Sequence, residues 1–170
     1  MSSPAFDPRG VLEILQRHKV RFVVIGAVAA IIHGYPLSTQ DLDVTPARDP
    51  ENLECLAGAL QELDARLRVP RGPGVPFPID AVMLSRGEVW TLTTKAGPLD
   101  LVYFPAGTRG YDDLRRDARE IDIGGVTVAV ASLADVIRSK EAANRPKDIA
   151  QLPALRQTLE VIRDRERRDA

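Results

Sequence analysis

Two aspartates, Asp41 and Asp43, stand one residue apart in the short apolar segment QDLDVT. Side chains at positions i and i+2 of a strand point to the same face, so these carboxylates are expected to be neighbours, with Leu42 facing the core. At about 7 Å and an effective dielectric of about 20, they repel by about 2–3 kcal/mol. A divalent cation removes that cost, and Mg²⁺ binds through one or two carboxylates plus substrate phosphates. Taken alone, such a pair is more often solvated than metal-bound.

A third carboxylate, Asp100, lies between two leucines in the apolar segment PLDLVYFP. An aspartate buried in such a strand is costly unless a cation pairs with it. If this strand lies beside the one that carries Asp41 and Asp43, three carboxylates converge. The alternative is a rim aspartate that caps the turn after Pro98.

Gly26 separates an apolar strand from a short apolar helix. The N-terminus of a helix presents free backbone N–H groups and the positive end of the helix dipole, and both favour phosphate binding. Close packing of the strand on the helix is the alternative reason for a glycine at this position.

The hydrophobic pattern predicts the elements that position these residues, in a mixed α/β domain with helices at both ends. Helices are predicted over Pro8 to about Lys19, Ala27–His33, Pro50 to about Leu67, Tyr111–Asp117, a Ser132-capped segment to Ala143, and from Lys147 onward. Strands are predicted over Arg21–Ile25, Gln40–Thr45, Glu88–Thr94, Leu99–Phe104, Glu120–Ile123 and Val126–Ala131. The stretch 69–78, rich in proline and glycine, is predicted to be a surface loop.

The composition is that of an ordinary globular chain of 170 residues, with 44% hydrophobic and 28% charged residues. The formal net charge of −1 argues against a general polyanion binder, and the arginine-rich stretches 109–119 and 163–168 are interleaved with acids, as on solvated helix faces. The single cysteine, Cys55, cannot form an internal disulfide. We expect a cytoplasmic protein without a membrane-spanning segment or signal peptide.

The spacing of the glycine and the acids resembles a known signature. Gly26-Ala27, thirteen further residues and then Asp41-Leu42-Asp43-Val44 resemble the motif of the nucleotidyltransferase superfamily that includes DNA polymerase beta, with Asp100 at the third carboxylate. The segment SLADVIRSKEAANRPKDIAQL is similar to the C-terminal motif of AbiEii-type and mycobacterial MenT toxins. Its matching positions are Lys140, Arg145, Lys147 and Asp148.

The resemblance implies a nucleotidyltransferase fold of the α/β (α+β) class, with a mixed central sheet flanked by helices. Residues 1–131 would form the core, and residues 132–170 a C-terminal helical segment packed on it. It further implies an NTP substrate and two Mg²⁺ ions, with Mn²⁺ as the alternative ion, held by Asp41, Asp43 and Asp100. Asp100 would hold the catalytic ion and help to deprotonate the acceptor.

The nucleotide is expected to contact a second group of residues. The backbone at Gly26 and Ala27 would cradle the β- and γ-phosphates, and Lys140 would add a charge on the triphosphate. Asp148 would orient Lys140 or Arg145 rather than bind metal. The expected nucleotide-binding set is Gly26, Ala27, Thr39, Lys140, Arg145 and Asp148.

Three functions remain open on the sequence. The first is transfer of a nucleotide to RNA, most plausibly tRNA, as the toxin of a toxin–antitoxin pair with a cognate antitoxin protein. The second is transfer to a small molecule such as an aminoglycoside. The third is a non-catalytic binding or antitoxin subunit, because Ala27 replaces the usual Gly or Ser and Leu37 replaces a basic residue of many relatives. Trp90 and Tyr103 could stack on a base, but core packing is favoured for both.

Overall fold

The computed structural model describes residues 4–170, and a mixed sheet forms the centre of this part of the chain. Its strands are β1 (Phe22–Ile25), β2 (Leu42–Pro46), β3 (Arg66–Leu67), β4 (Val89–Thr94), β5 (Gly97–Val102), β6 (Arg119–Ile123) and β7 (Val126–Val130). They lie in the order β3-β4-β5-β2-β1-β7-β6. β2 pairs in parallel with β5, and β1 in parallel with β7, while the other neighbours are antiparallel. The mixed α/β architecture predicted from the sequence is confirmed.

Seven helices pack with the sheet and are interspersed with its strands along residues 4–170. They are α1 (Pro8–Arg17), α2 (Gly26–Ile32), α3 (Pro50–Glu62), α4 (Ala81–Arg86), α5 (Tyr111–Asp117), α6 (Leu133–Ala143) and α7 (Pro146–Asp169). Several begin at a side-chain cap: Asp7 accepts a hydrogen bond from the Gly10 N–H, Asp49 from Asn52 and Ser132 from Asp135. Such caps satisfy N–H groups that have no acceptor within the helix, so they fix where each helix begins.

The end of helix α3 differs most from the prediction. Helix α3 ends at Glu62 rather than near Leu67, because Asp64 adopts a left-handed backbone with φ of 50° and turns the chain into strand β3. Strand β5 begins and ends two residues before its predicted bounds. Gly97 begins β5 at φ of 105°, and the Thr94 hydroxyl donates to the Gly97 carbonyl and accepts from the Ala96 N–H.

The hydrophobic core extends from the sheet into the C-terminal helices. Strand β1 is buried at all four positions, and Leu133, Val136 and Ile137 of α6 belong to the same buried cluster as Leu152 and Leu155 of α7. The residues after 132 therefore share one core with the sheet. Among the described residues, none of the helices has the length and apolarity that crossing a membrane requires.

Candidate active site

Three carboxylates meet where the central strands β2 and β5 pair. Asp43 lies opposite Asp100 in the parallel register of these strands, and Asp41 immediately precedes β2. Leu42 and Leu99, also paired in this register, are fully buried on the other face. One oxygen from each of the three aspartates lies within 4.8 Å of the other two, and all three side chains are partly buried. The pattern of alternating apolar and acidic residues thus brings the acids together on one face.

The acids carry more negative charge than their surroundings balance. Burial, together with the charges of Asp41 and Asp100, raises the pKa of Asp43 to about 7. Burial also raises the pKa of Asp100 even though Arg68 lies beside it and opposes the shift. The cluster therefore favours either a proton or a cation between its carboxylates.

Arg68 supplies the one protein cation in direct contact with this cluster among residues 4–170. Its guanidinium donates to Asp100 Oδ1 at 2.8 Å and to the Leu92 carbonyl at 2.6 Å. Arg68 was not predicted from the sequence, because it is 32 residues from Asp100 and follows a two-residue strand. The sequence indicated only that a buried acid such as Asp100 requires a cation nearby, without indicating which residue supplies it.

Arg68→Gln should destabilise the metal-free protein, and by more at pH 8 than at pH 5. At pH 8 the acids are ionised and lose their only paired cation, whereas at pH 5 Asp43 holds a proton. Hydrogen bonds to charged groups contribute about 1.5–3 kcal/mol, which sets the scale of the expected loss at pH 8. Urea denaturation at both pH values, with and without Mg²⁺, measures this difference.

Arg66→Gln is the matched control, because Arg66 lies two residues before Arg68, in β3, but pairs with the largely exposed Asp64 instead. It should change the stability little at either pH. Equal losses for the two variants, or an Arg68→Gln loss that is independent of pH, would contradict the role given to Arg68.

Gly26 stands against the carboxylate of Asp43 at the start of α2. Its φ is +67°, and a Cβ placed on it would lie 2.4 Å from Asp43 Oδ2. Ile25, the preceding residue, pairs with Asp43 across β1 and β2. Only glycine suits both this backbone conformation and this contact. Ala27 follows in the first turn of α2, where backbone N–H groups have no acceptor within the helix.

Thr39 contacts an acid of the cluster in this structure. Its hydroxyl donates to Asp41 Oδ1 at 2.8 Å and so holds the Asp41 side chain beside β2. This contact orients a carboxylate. The nucleotide-binding role expected from the sequence remains a prediction for Thr39.

A buried aspartate pairs with two cations where α6 meets α7. Asp148, which is fully buried, accepts from Arg145 Nε at 2.7 Å and lies 3.5 Å from Lys140 Nζ. Burial alone would raise the pKa of Asp148, but the pairing with Arg145 and Lys140 outweighs it and leaves the pKa below its usual value. Asp148 therefore positions Lys140 and Arg145, and it is not one of the three clustered acids.

Both groups contribute to the lining of one cavity of about 560 Å³. This lining includes Gly26 and the three acids, together with Lys140, Arg145 and Lys147. Apolar residues complete it, among them Val89, Val102, Phe104, Pro105, Leu114 and Val136. The sequence placed Lys147 in the C-terminal motif without a role, and it did not single out Phe104.

The two aromatic residues considered from the sequence pack elsewhere, as favoured. Tyr103 is 1% exposed and its hydroxyl donates to the Leu84 carbonyl at 3.1 Å. Trp90 stacks on Phe77 with ring centroids 5.4 Å apart. Neither lines the cavity that holds the acids.

Solved structures with the same architecture identify the fold. The lincosamide antibiotic adenylyltransferase LnuA, bound to lincomycin, matches 91% of this chain and 99% of its own with 12% identity and a TM-score of 0.58. ANT(2")-Ia in complex with adenylyl-2"-tobramycin matches 95% of this chain and 96% of its own, at 17% identity and a TM-score of 0.56. A candidate nucleotidyltransferase from Thermotoga maritima covers 89% of each chain, with 17% identity and a TM-score of 0.52.

The chain has the nucleotidyltransferase fold. No protein-family profile matches the sequence, and no curated protein matches it significantly. The likeness to solved nucleotidyltransferases thus rests on structure, and the fold implied by the sequence motifs is confirmed.

The residues present fit the divalent cations that this fold implies. Carboxylate oxygens are hard ligands of the kind that Mg²⁺ and Mn²⁺ prefer. The three acids offer such oxygens within 4.8 Å of one another. Burial and the neighbouring carboxylates raise the pKa values of Asp43 and Asp100, so a bound cation would stabilise their ionised forms. Asp41, Asp43 and Asp100 are the residues that would hold the ions.

Proposed function

We propose that the protein is a metal-dependent nucleotidyltransferase that moves a nucleoside monophosphate from an NTP to an acceptor hydroxyl. The observation that carries this proposal is the cluster of Asp41, Asp43 and Asp100 beside Gly26, in a cavity that Lys140 also lines. Nucleotidyltransferase-fold proteins as structural neighbours support a transferase. Two Mg²⁺ ions, or Mn²⁺ in their place, would supply charge neutralisation at the phosphates when bound.

The chain's own residues would carry the proton and orient the triphosphate. Asp100, whose pKa is raised by burial, suits the role of accepting the proton from the acceptor hydroxyl at neutral pH. Backbone N–H groups at Gly26 and Ala27 and the charge of Lys140 would hold the β- and γ-phosphates. A bond forms between the acceptor oxygen and the α-phosphorus, the bond from the α-phosphorus to its bridging oxygen breaks, and pyrophosphate leaves.

RNA, and tRNA in particular, is the acceptor that we propose, with a toxin role and a cognate antitoxin protein. The similarity of residues 132–152 to the toxin motif supports this choice. The cations Lys140, Arg145 and Lys147 along the cavity wall add support, because they attract a polyanion and repel the ammonium groups of an aminoglycoside.

A small-molecule acceptor is the second candidate. Two of the structural neighbours are named for antibiotic substrates or carry an adenylylated antibiotic, which favours this alternative. A non-catalytic subunit is the third, and its motivation is Ala27 and Leu37. The intact acidic cluster beside Gly26 disfavours that third reading.

Transfer of label from α-labelled NTPs to total tRNA in the presence of Mg²⁺ tests the proposed reaction. Wild-type protein should label the RNA, and Asp41→Ala should abolish labelling because the cluster loses one of its three carboxylates. Glu54→Gln, which removes one exposed charge from α3, is the control and should keep full activity. Labelling of an aminoglycoside or lincosamide in place of tRNA would support the second candidate, and undiminished activity of Asp41→Ala would contradict the site.

A further inference from the structure

A second space, here called the Arg48 groove, opens beside the cavity and has a volume of about 270 Å³. Its lining includes Arg21, Arg48, Phe104, Arg109, Tyr111 and Asp112. Phe104 also lines the cavity that contains the acids, so the two spaces adjoin at this ring. No part of the proposed NTP site uses the Arg48 groove.

The groove lies beyond the carboxyl ends of the two strands that carry the acids. Arg48 follows the end of β2 at Pro46, and Phe104 follows the end of β5 at Val102, in a parallel pair whose register matches Asp43 with Asp100. At about 3.3 Å per residue, the backbone at Arg48 is at most about 17 Å from Asp43. Arg48 and the acids therefore lie within reach of one extended acceptor.

Two arginines in the groove, Arg48 and Arg109, have side chains without an ion pair among residues 4–170, although the Arg109 charge contributes to the lowered pKa of Asp113. Arg48 donates to the Ser85 carbonyl at 2.6 Å and the Gly87 carbonyl at 3.3 Å, and within residues 4–170 it forms no ion pair. The Arg109 side chain likewise forms none there, whereas Arg21 pairs with Asp49. Asp112 is the one other acid in the lining. Carbonyl contacts hold Arg48 in place without cancelling its charge, which suits a phosphate ligand.

Phe104 adds an exposed aromatic surface between the groove and the cavity. It is 48% exposed, which is unusual for a phenylalanine beside a core strand. The Arg48 guanidinium lies 5.6 Å from its ring centroid and 5.0 Å from that of Tyr103. Proteins that bind single-stranded nucleic acid combine such aromatic rings, on which bases stack, with arginines that contact the backbone.

We propose that the Arg48 groove binds the phosphodiester backbone of a single-stranded polynucleotide acceptor, with Phe104 stacking on a base next to the reacting end. The inference rests on the proposed function for the reaction, and it names the acceptor class and the residues that select it. Arg48 and Arg109 contact phosphates, and the acceptor's terminal hydroxyl enters the cavity. A small uncharged or cationic acceptor makes no use of these arginines.

Fluorescence anisotropy with a labelled single-stranded 12-nucleotide RNA, and competition by total tRNA, test this groove without NTP. Arg48→Gln/Arg109→Gln should weaken RNA binding about 10-fold or more and lower the salt dependence of log Kd by about two, one for each lost phosphate contact. Phe104→Leu keeps an apolar side chain but should weaken binding about 5-fold or more by losing the stacked base. Calorimetric binding of Mg²⁺–NTP should be unchanged in Arg48→Gln/Arg109→Gln, because neither arginine lines the cavity that holds the acids.

Arg163→Gln/Arg165→Gln is the matched control, because it removes two exposed charges from α7 and should leave RNA affinity unchanged. The Arg109 side chain forms no hydrogen bond or ion pair among residues 4–170, so Arg109→Gln alone should fold normally. It should still lower the salt dependence of log Kd for RNA by about one. The inference would be overturned by unchanged RNA affinity in the groove variants or by an equal loss of affinity in the control. It would also be overturned if a free mononucleotide competed for the groove as effectively as RNA does. The wild-type protein could bind RNA through the Arg48 groove, with weaker binding in the groove variants, and yet bind no NTP. That result would support the groove and contradict the proposed reaction.

Discussion

Asp43→Asn is expected to abolish nucleotidyl transfer while raising the thermal stability of the metal-free protein at pH 8. The carboxylate of Asp43 is buried beside Asp41 and Asp100, which raises its pKa to about 7 from the usual value near 4. Asparagine has nearly the same shape as the protonated acid and carries no charge. The variant therefore removes the repulsion that the folded, metal-free protein otherwise bears above neutral pH.

The direction of the pH dependence follows from this raised pKa. Between about pH 4 and pH 7 the folded protein holds a proton on Asp43 that the unfolded chain has released, so stability falls as the pH rises through this range. At about 1.36 kcal/mol per pKa unit, the loss is on the order of 4 kcal/mol by pH 8. Asp43→Asn should escape this loss. Its melting temperature without metal should exceed that of the wild type by about 8–16 °C at pH 8 and by little at pH 4.

Mg²⁺ should reverse the order of the two proteins. Binding to the folded state alone stabilises by mass action, so wild-type protein should gain stability with Mg²⁺ at pH 8 and Asp43→Asn should gain little. Differential scanning fluorimetry across pH 4–8, with Mg²⁺ or EDTA, measures both effects, and Glu54→Gln is the charge control. An Asp43→Asn protein that is less stable than wild type in EDTA at pH 8 would contradict the repulsion argument.

Gly26→Ala should lower nucleotidyl transfer by about 100-fold, the order of loss that a displacement near 1 Å in an active site produces. A Cβ at this position would lie 2.4 Å from Asp43 Oδ2, so the carboxylate must move away from its two partners. The positive φ of +67° adds backbone strain of about 1–2 kcal/mol for any residue with a Cβ. Activity and stability should therefore both fall.

Gly34→Ala separates these two causes. Gly34 also has a positive φ, +101°, but a Cβ there has nothing within 4 Å. Its variant shares the backbone strain without touching the acids, so it should lose stability and keep its activity and Mg²⁺ response. Initial rates under saturating NTP and Mg²⁺ provide the comparison. Similar activities for the two alanine variants would show that contact with Asp43 does not matter.

The local part of the site could be predicted from the sequence because it depends on short periodicities. The i, i+2 spacing of Asp41 and Asp43 places both on one face with Leu42 in the core, as the structure shows. Ser132 caps α6, as predicted from its position just before a segment with the hydrophobic periodicity of a helix. The pairing of β2 with β5 was not readable from either strand alone, and the sequence raised it only as a condition. The family resemblance added that Asp100 matches the third carboxylate.

The missed residues act through long-range contacts. Arg68 reaches Asp100 only because the left-handed Asp64 ends α3 early and sends the chain into β3, beside β4. Arg48 and Phe104 become neighbours because β2 and β5 end together at one edge of the sheet. Single-sequence patterns specify the faces of elements but not which strand ends meet, so these side chains looked like ordinary surface residues.

Isothermal titration calorimetry of NTP binding with Mg²⁺ and with EDTA, for wild type and Asp43→Asn, tests the central claim most directly. It needs no knowledge of the acceptor. We expect the wild type to bind NTP only in the presence of Mg²⁺ and Asp43→Asn to lose this binding, while Glu54→Gln behaves as the wild type. Absence of NTP binding by wild type, or binding that is equal in EDTA and unaffected by Asp43→Asn, would contradict it.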